Sequence, residues 1–360
     1  MVDEMPSHKS SKHFLLLCAL LFLLGCGPLA AEPTPQPALA PIAPAALEPT
    51  AAGPPKPAPT VEATGETLPG RLLFVQGGNL WLWQGDSGRQ ITSLGDAFQP
   101  AWSPDGDRIA YVRRDTSYSD VVIQAVSGGE PTQLTRDGPD SSVYSYERIY
   151  ASMWAFYPAW SPDGEQLAYA GQAGPPGGSP AAEYRMSLFT IPADGGRRAQ
   201  IFAEAAGHVG RPAYAPDGQT IVFDFAPVEK EPPALYRYSI AKDAGAPQPG
   251  VPKQSYDPAF SPDGRWLAFA ARDDGHTDIF AQPAAGGAPI RLTNLGAARA
   301  PAFSPDGKRL AFLAVAAGTN SFDLWVADLQ ADAGTLRAGE PRQITHDMYL
   351  DADSGVSWAR

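Results

Sequence analysis

Pro100-Ala101-Trp102-Ser103-Pro104-Asp105-Gly106 decides the fold, because the chain repeats it. Copies stand at residues 158–164, 212–218 (with Ala215 in place of the serine), 258–264 and 301–307. Each is followed by a short apolar run: Ile109-Ala110-Tyr111, Leu167-Ala168-Tyr169, Ile221-Val222-Phe223, Leu267-Ala268-Phe269 and Leu310-Ala311-Phe312. The turn aspartates Asp105, Asp163, Asp217, Asp263 and Asp306 lie 58, 54, 46 and 43 residues apart, a period that marks a repeat array. Ser-Pro-Asp-Gly suits a type I turn, with Pro presetting φ at the second position and Gly taking the positive-φ site that follows, so the flanking runs fold back as a hairpin. Pro at the start of the first run cannot donate to a ladder, which makes that strand an edge or an innermost strand. Such a unit is a four-stranded blade, and blades in a ring form a propeller.

The phase of the repeat predicts how the ring closes. Residues 71–75, 79–83 and 89–92 match the second, third and fourth strands of a blade whose first strand is missing at that end. Gly355-Val356-Ser357-Trp358 aligns with Gln99-Pro100-Ala101-Trp102 and supplies it, so the C-terminal strand is expected to pair with the N-terminal blade and leave no open edge. One split blade and five full copies give an all-β, six-bladed β-propeller. Fourth strands are expected at Gln133-Leu134-Thr135, Gln200-Ile201-Phe202, Arg291-Leu292-Thr293 and Gln343-Ile344-Thr345. The fourth blade shows no equivalent after Ile240, only the Pro- and Gly-rich 243–252.

The repeat, its turn and its closing Leu-Thr resemble the WD-like repeats of the TolB family of six-bladed propellers, over roughly residues 70–358. The resemblance implies a scaffold used for binding; related propellers also accompany the catalytic domain of prolyl oligopeptidase-type enzymes. The small N-terminal α/β domain of TolB has no counterpart here. A fold analogy of this kind does not fix an activity.

A targeting segment and a tether are expected ahead of the ring. His8, Lys9, Lys12 and His13 precede an apolar run at 14–24 that is too short to span a membrane. Leu23-Leu24-Gly25-Cys26 resembles the lipobox of bacterial lipoproteins, which implies cleavage before Cys26 and a diacylglyceryl group on its thiol; an ordinary signal peptide cut near Ala30 or Ala31 is the alternative. Residues 26–69, rich in Pro and Ala, read as a disordered tether, since they cannot bury enough apolar surface to fold. Stretched, about 40 such residues reach on the order of 100 Å. The expected division is thus 1–25 signal peptide, 26–69 lipidated tether and 70–360 propeller, with a cell-envelope location facing the periplasm or exterior.

The charged fraction is 18%, while 36 Gly and 38 Pro suit short strands joined by turns. A formal net charge of −12 argues against nucleic acid as a partner, because phosphate binding needs a basic face. Cys18 and Cys26 are the only cysteines, so the propeller is expected to carry neither a disulfide nor a thiolate metal site. There is no Gly-x-Ser-x-Gly elbow and no Gly-rich phosphate loop, and no hydrolase domain is expected after Trp358. No cofactor is implied.

The repeated turns share one face, and the loops of the opposite face vary in length. The long ones are 136–157, 171–184 and 224–234, and variable loops on a repetitive frame are where binding is expected. Loop 136–157 concentrates Tyr144, Tyr146, Tyr150, Met153, Trp154, Phe156 and Tyr157, either as a partner-binding surface or as a lid whose rings bury one another. Gln99, Tyr157, Arg211, Asp257, Ala300 and Gly355 precede the inner strands and should ring the channel mouth. Arg211 and Asp257 come from neighbouring blades: they pair with each other, or Arg211 receives an anion or a partner's carboxylate. His208, His276 and His346 fall in loops of that same face and are candidate metal ligands only if they converge on one ion. Asp351 and Asp353 bear a partial likeness to a calcium loop without its remaining ligands.

The leading expectation is a cell-envelope lipoprotein that displays a propeller as a non-catalytic module for an envelope protein or small ligand, held at the membrane by its lipid. The alternative is a metal-dependent saccharide lyase or hydrolase built on the histidines. A purely architectural role in the envelope is a third.

Overall fold

The repeated turn forms as its residues dictate. The Ser103 hydroxyl donates to Asp105 at 2.5 Å and accepts the Arg108 amide at 2.9 Å, and Asp105 accepts the Asp107 amide at 3.0 Å. Gly106 sits at φ 74°, where a Cβ would be strained. Ser161, Ser261 and Ser304 repeat this network with Asp163, Asp263 and Asp306. The third copy, in blade four, keeps the backbone bonds of the turn although Ala215 has no hydroxyl to offer.

The computed structural model describes residues 60–62, 66–139, 147–176, 185–204, 207–227, 232–332 and 334–360. These make six antiparallel sheets whose inner strands neighbour one another in cyclic order, a six-bladed propeller with one short helix, Glu147–Ala151. From the axis outward, blade two is Ala97–Trp102, Arg108–Arg114, Ser119–Ala125 and Thr132–Gln133. Blade three is Ala155–Trp160, Gln166–Gly171, Ser187–Pro192 and Ala199–Phe202; blade four is Gly207–Tyr214, Thr220–Pro227, Ala234–Ser239 and Ala244–Pro247. Blade five is Ser255–Phe260, Trp266–Asp273, His276–Pro283 and Ile290–Arg291. Blade six is Ala298–Phe303, Arg309–Val315 and the 11-residue Phe322–Asp332, whose length lets it pair with both Thr335–Ala338 and Arg342–Gln343.

Blade one is split as its phase requires. Ser357–Ala359 pairs with Leu68–Gln76 in the register Arg71 to Ala359, Leu72 to Trp358 and Leu73 to Ser357. Asn79–Gly85 and Ser87–Gln90 complete the blade. Two sequence expectations need correction. Thr60–Glu62 pairs with Ser87–Gln90 as a further outer strand, and the sheet resumes at Leu68, so the propeller begins inside the expected tether rather than at residue 70. Blade four does possess a fourth strand, Ala244–Pro247. It lacks the Leu-Thr signal because an outermost strand satisfies one ladder only and tolerates Pro, while Gly245 leaves room for the Phe202 ring of blade three. Residues 1–59, with Cys26 and the signal segment, lie outside the described residues.

The core is divided among the six seams between blades. Alternate side chains of one second strand serve opposite seams: Leu72 and Phe74 pack with blade six, Leu73 and Val75 with blade two. That two-sided burial explains why the run after each turn is continuously apolar although the sheet is antiparallel.

A further side-chain bond locks third to fourth strands. Thr135, Thr293 and Thr345 donate to the buried Asp120, Asp278 and Asp323 at 2.8, 2.8 and 3.0 Å, and each threonine oxygen accepts the next amide of the third strand. The threonine of the closing Leu-Thr is therefore a structural bolt.

Candidate functional site at the channel mouth

Each inner strand from blades two to six breaks register beside the residue that precedes its proline. Gln99, Tyr157, Asp257 and Ala300 take φ between 53° and 57° there, and Gly355 takes 74°. A positive φ costs a non-glycine residue roughly 1–2 kcal/mol, so the surroundings must hold it. They do so across the seams: Gln99 Oε1 accepts the Tyr157 amide at 2.9 Å, Asp224 the Asp257 amide at 3.0 Å, and Asp257 the Ala300 amide at 3.1 Å. The kink turns these side chains toward the axis, and Gln99, Tyr157, Arg211, Asp257 and Ala300 all line a central cavity of about 290 Å³. The Pro-Ala-aromatic segments of the blades form the rest of its wall.

Arg211 and Asp257 pair at 3.2 Å. Arg211 also reaches across the ring: its two terminal nitrogens donate to the Ser354 and Asp353 carbonyls at 3.3 and 2.6 Å, and its guanidinium lies 4.8 Å over the Tyr157 ring. Arg299 binds the second Asp257 oxygen at 3.1 Å and Asp353 at 2.7 Å. Blades one, four, five and six are thereby strutted by one circuit of charges. Burial works against the Asp257 charge, but Arg211 and Arg299 outweigh it and hold the carboxyl below its ordinary range. Asp224 has the opposite balance: burial, then the Asp257 charge, pushes it up to about 7.

Asp224 and Arg299 were not singled out from the sequence, and Asp353 was singled out only as part of the calcium-like stretch. A signal for Asp224 exists, since the equivalent position in the other blades is Val75, Val112, Ala170, Ala270 and Leu313. A lone carboxylate in that series marks a polar junction. Asp351, of the calcium-like stretch, accepts the Asp353 and Ser354 amides at 3.0 and 3.1 Å, an ordinary local turn.

The aromatic loop divides between the two alternatives. Tyr144 and Tyr146 lie outside the described residues. Trp154, Phe156 and Tyr157 pack against the core between blades three and four, and the Trp154 and Phe156 rings stack at 5.7 Å. Tyr150, on the helix, is exposed. The helix is pinned beneath it: the buried Arg148 pairs with Asp115 at 2.6 Å and donates to Ser117 at 2.7 Å, while Met153 bonds the Asp137 carbonyl at 2.9 Å. The histidines share a face, as expected, but come from three blades. His208 is in Gly207–Tyr214, His276 begins His276–Pro283 and His346 follows Arg342–Gln343. Among the described residues, no three His, Cys, Asp or Glu side chains converge to hold a metal ion, so the metal-ligand expectation is corrected. The physical reason is that the ring places its blades around an axis and keeps these loops apart.

The comparisons agree with this architecture. The N-terminal region of dipeptidyl peptidase IV matches residues 86–172. The uncharacterized peptidase YuxL of Bacillus subtilis (strain 168) is 27% identical over 221 residues, which is 50% of this chain and 30% of that protein, so the chain spans under a third of this curated relative. TolB from Acinetobacter baumannii superposes with a TM-score of 0.60 at 19% identity, over 81% of this chain and 66% of that one. A chain of the nidogen/laminin complex superposes at 0.55 with 13% identity, over 80% and 97%. At such identities these likenesses show the fold alone. The profile of the TolB beta propeller domain, however, matches residues 137–336, more than half of the sequence and most of blades three to six. On that match, with six blades built around the repeated turn, the chain belongs to the TolB beta propeller domain family.

Proposed function

We propose that this protein is a bacterial cell-envelope lipoprotein that displays its propeller as a non-catalytic binding module, with an envelope protein docking on the variable-loop face. The observation that carries the reading is the fixed presentation of Tyr150: its helix is anchored by buried Arg148, while Tyr150 itself is 37% exposed. Rigid aromatic anchors next to well-packed rings such as Trp154 are what binding hot spots are made of. The mouth arginines favour the same division of labour, because Arg211 and Arg299 are occupied by internal carboxylates and carbonyls. They serve as struts. Cys26, in Leu23-Leu24-Gly25-Cys26, would tie the module to the membrane through its lipid.

Affinity capture from envelope extracts tests the docking face. Replacing Tyr150 and Trp154 by alanine should abolish recovery of a partner that the parent chain retains, and unchanged recovery would sink the assignment of this loop. Cys26→Ser should move the protein from the membrane to the soluble fraction; unaltered fractionation counts against lipidation.

The similarity to a peptidase and to the dipeptidyl peptidase IV N-terminal region supports a second reading, in which the propeller serves peptide hydrolysis. Turnover of fluorogenic peptides by the purified full chain would favour it over the binding module.

A further inference from the structure

The residue just before the apolar run of each second strand stands at the seam with the next blade, on the face of the repeated turns. In three blades it is an arginine: Arg309 of blade six pairs with Asp328 at 3.2 Å, while Arg71 and Arg108 fill their seams. The Arg71 guanidinium lies 4.6 Å over the Trp102 ring of blade two. Arg108 lies 4.6 Å over the Trp160 ring of blade three and donates to the Gly164 carbonyl of that blade's turn at 3.3 Å. Blade three has Gln166 at this position, shorter and uncharged, while blade four keeps the ring (Tyr214) and the turn glycine (Gly218).

A groove of about 250 Å³ remains there, lined by Asp163, Gln166, Tyr214, Gly218, Tyr238 and Ile240 among others. Equivalent grooves of about 510 and 490 Å³ lie at the next two seams. Arg237 lines the first of those, and Arg265 and Lys308 line the second. Of these three grooves among the described residues, the one between blades three and four has a carboxylate and no cation in its lining.

The geometry points to this groove as the receptor for an arginine side chain presented by a partner protein. The incoming guanidinium takes the place that the chain's own arginines take at the two preceding seams: over the Tyr214 ring, donating to the Gly218 carbonyl, with Asp163 supplying the opposing charge. Tyr238 and Ile240 offer apolar surface to the methylene stem. A planar guanidinium suits a site of ring plus carbonyl better than a compact ammonium does, and a net charge of −12 favours a basic partner. The groove lies on the face opposite Tyr150 and Trp154, so it goes beyond the docking loop and stands independently of it.

The test uses N-acetyl-arginine amide as the probe and the full chain as receptor, read by saturation-transfer NMR. The parent chain should saturate this probe and leave the isosteric, uncharged N-acetyl-citrulline amide unsaturated. Gln166→Arg supplies the chain's own guanidinium and should weaken probe binding by roughly tenfold or more, whereas Gln166→Glu adds a carboxylate and should tighten it. Gln166 is exposed, and a thermal melt verifies that each variant is folded. If Gln166→Arg does not fold, Gln166→Glu carries the test. The inference is overturned if the parent does not bind the arginine probe, if the citrulline probe binds equally, or if neither substitution alters binding. Loss of an envelope partner on changing Tyr150 and Trp154 leaves these readouts untouched, so the two proposals fail separately.

Discussion

Asp257 carries three bonds at the ring's centre: the Arg211 and Arg299 guanidinium groups and the Ala300 amide. Asp257→Asn removes the carboxylate that Arg211 and Arg299 share, leaving Arg299 with Asp353 alone, and is expected to cost about 3 kcal/mol, read as a lower urea midpoint with an unchanged m-value. Asp224 predicts a pH effect of known sign. Its carboxyl titrates near 7 in the fold against an ordinary 3.8, so between those values the native state holds a proton that the unfolded chain has lost. Stability from this group falls as pH rises from about 4 to about 7. Urea midpoints of the parent and Asp224→Asn, compared from pH 4.5 to 8, should show the decline shrink in the variant; an equal decline in both refutes the assignment. At this scale the sequence was half legible. Arg211 and Asp257 could be placed at the mouth because proline follows each and fixes their phase, but Arg299 and Asp353 reach it from positions that the motif does not mark.

The turn is the element in which sequence and structure agree most closely, since its bonds are local. Three of its aspartates, Asp105, Asp163 and Asp306, are held below their ordinary pKa chiefly by the serine hydroxyl and then by a backbone amide. Their contribution is present above about pH 4 and is lost as pH falls through the lowered values. Blade four lacks that hydroxyl. Ala215→Ser should restore it, because the Ala215 and Gly218 backbone bonds already match the other copies at 2.8 and 2.9 Å. A gain of about 1 kcal/mol, visible as a melting temperature raised by roughly 2 °C, is the expected outcome. The outer strands were less legible. Ala244–Pro247 bears no residue pattern because it has one neighbour and a solvent side, and the Asp120, Asp278 and Asp323 bolts pair residues too far apart in sequence for a local reading.

For the whole molecule, six blades and their split closure followed from the repeat's phase, since ring closure needs only a count and a leftover strand. The position of the chain's entry did not, because pairing of Thr60–Glu62 depends on a free edge at Ser87–Gln90 rather than on its own composition. Deletion of residues 355–360 should strip blade one of its inner strand and expose the Leu68–Gln76 edge. The expected result is loss of a single sharp thermal transition and a shift to aggregates on size-exclusion chromatography; a monomer melting like the parent would show that closure is dispensable.

The closure also sets a schedule. Pro69 receives its bond from the Trp358 indole, and Arg71 from its own side chain reaches the Arg360 carbonyl, across 289 positions of sequence. A ribosome needs roughly 15 to 60 s to cover that distance. Through that interval the first apolar hairpin to emerge waits with one side unpaired, which makes its custody during synthesis, rather than the final stability of the ring, the point at which this protein is most exposed to misassembly.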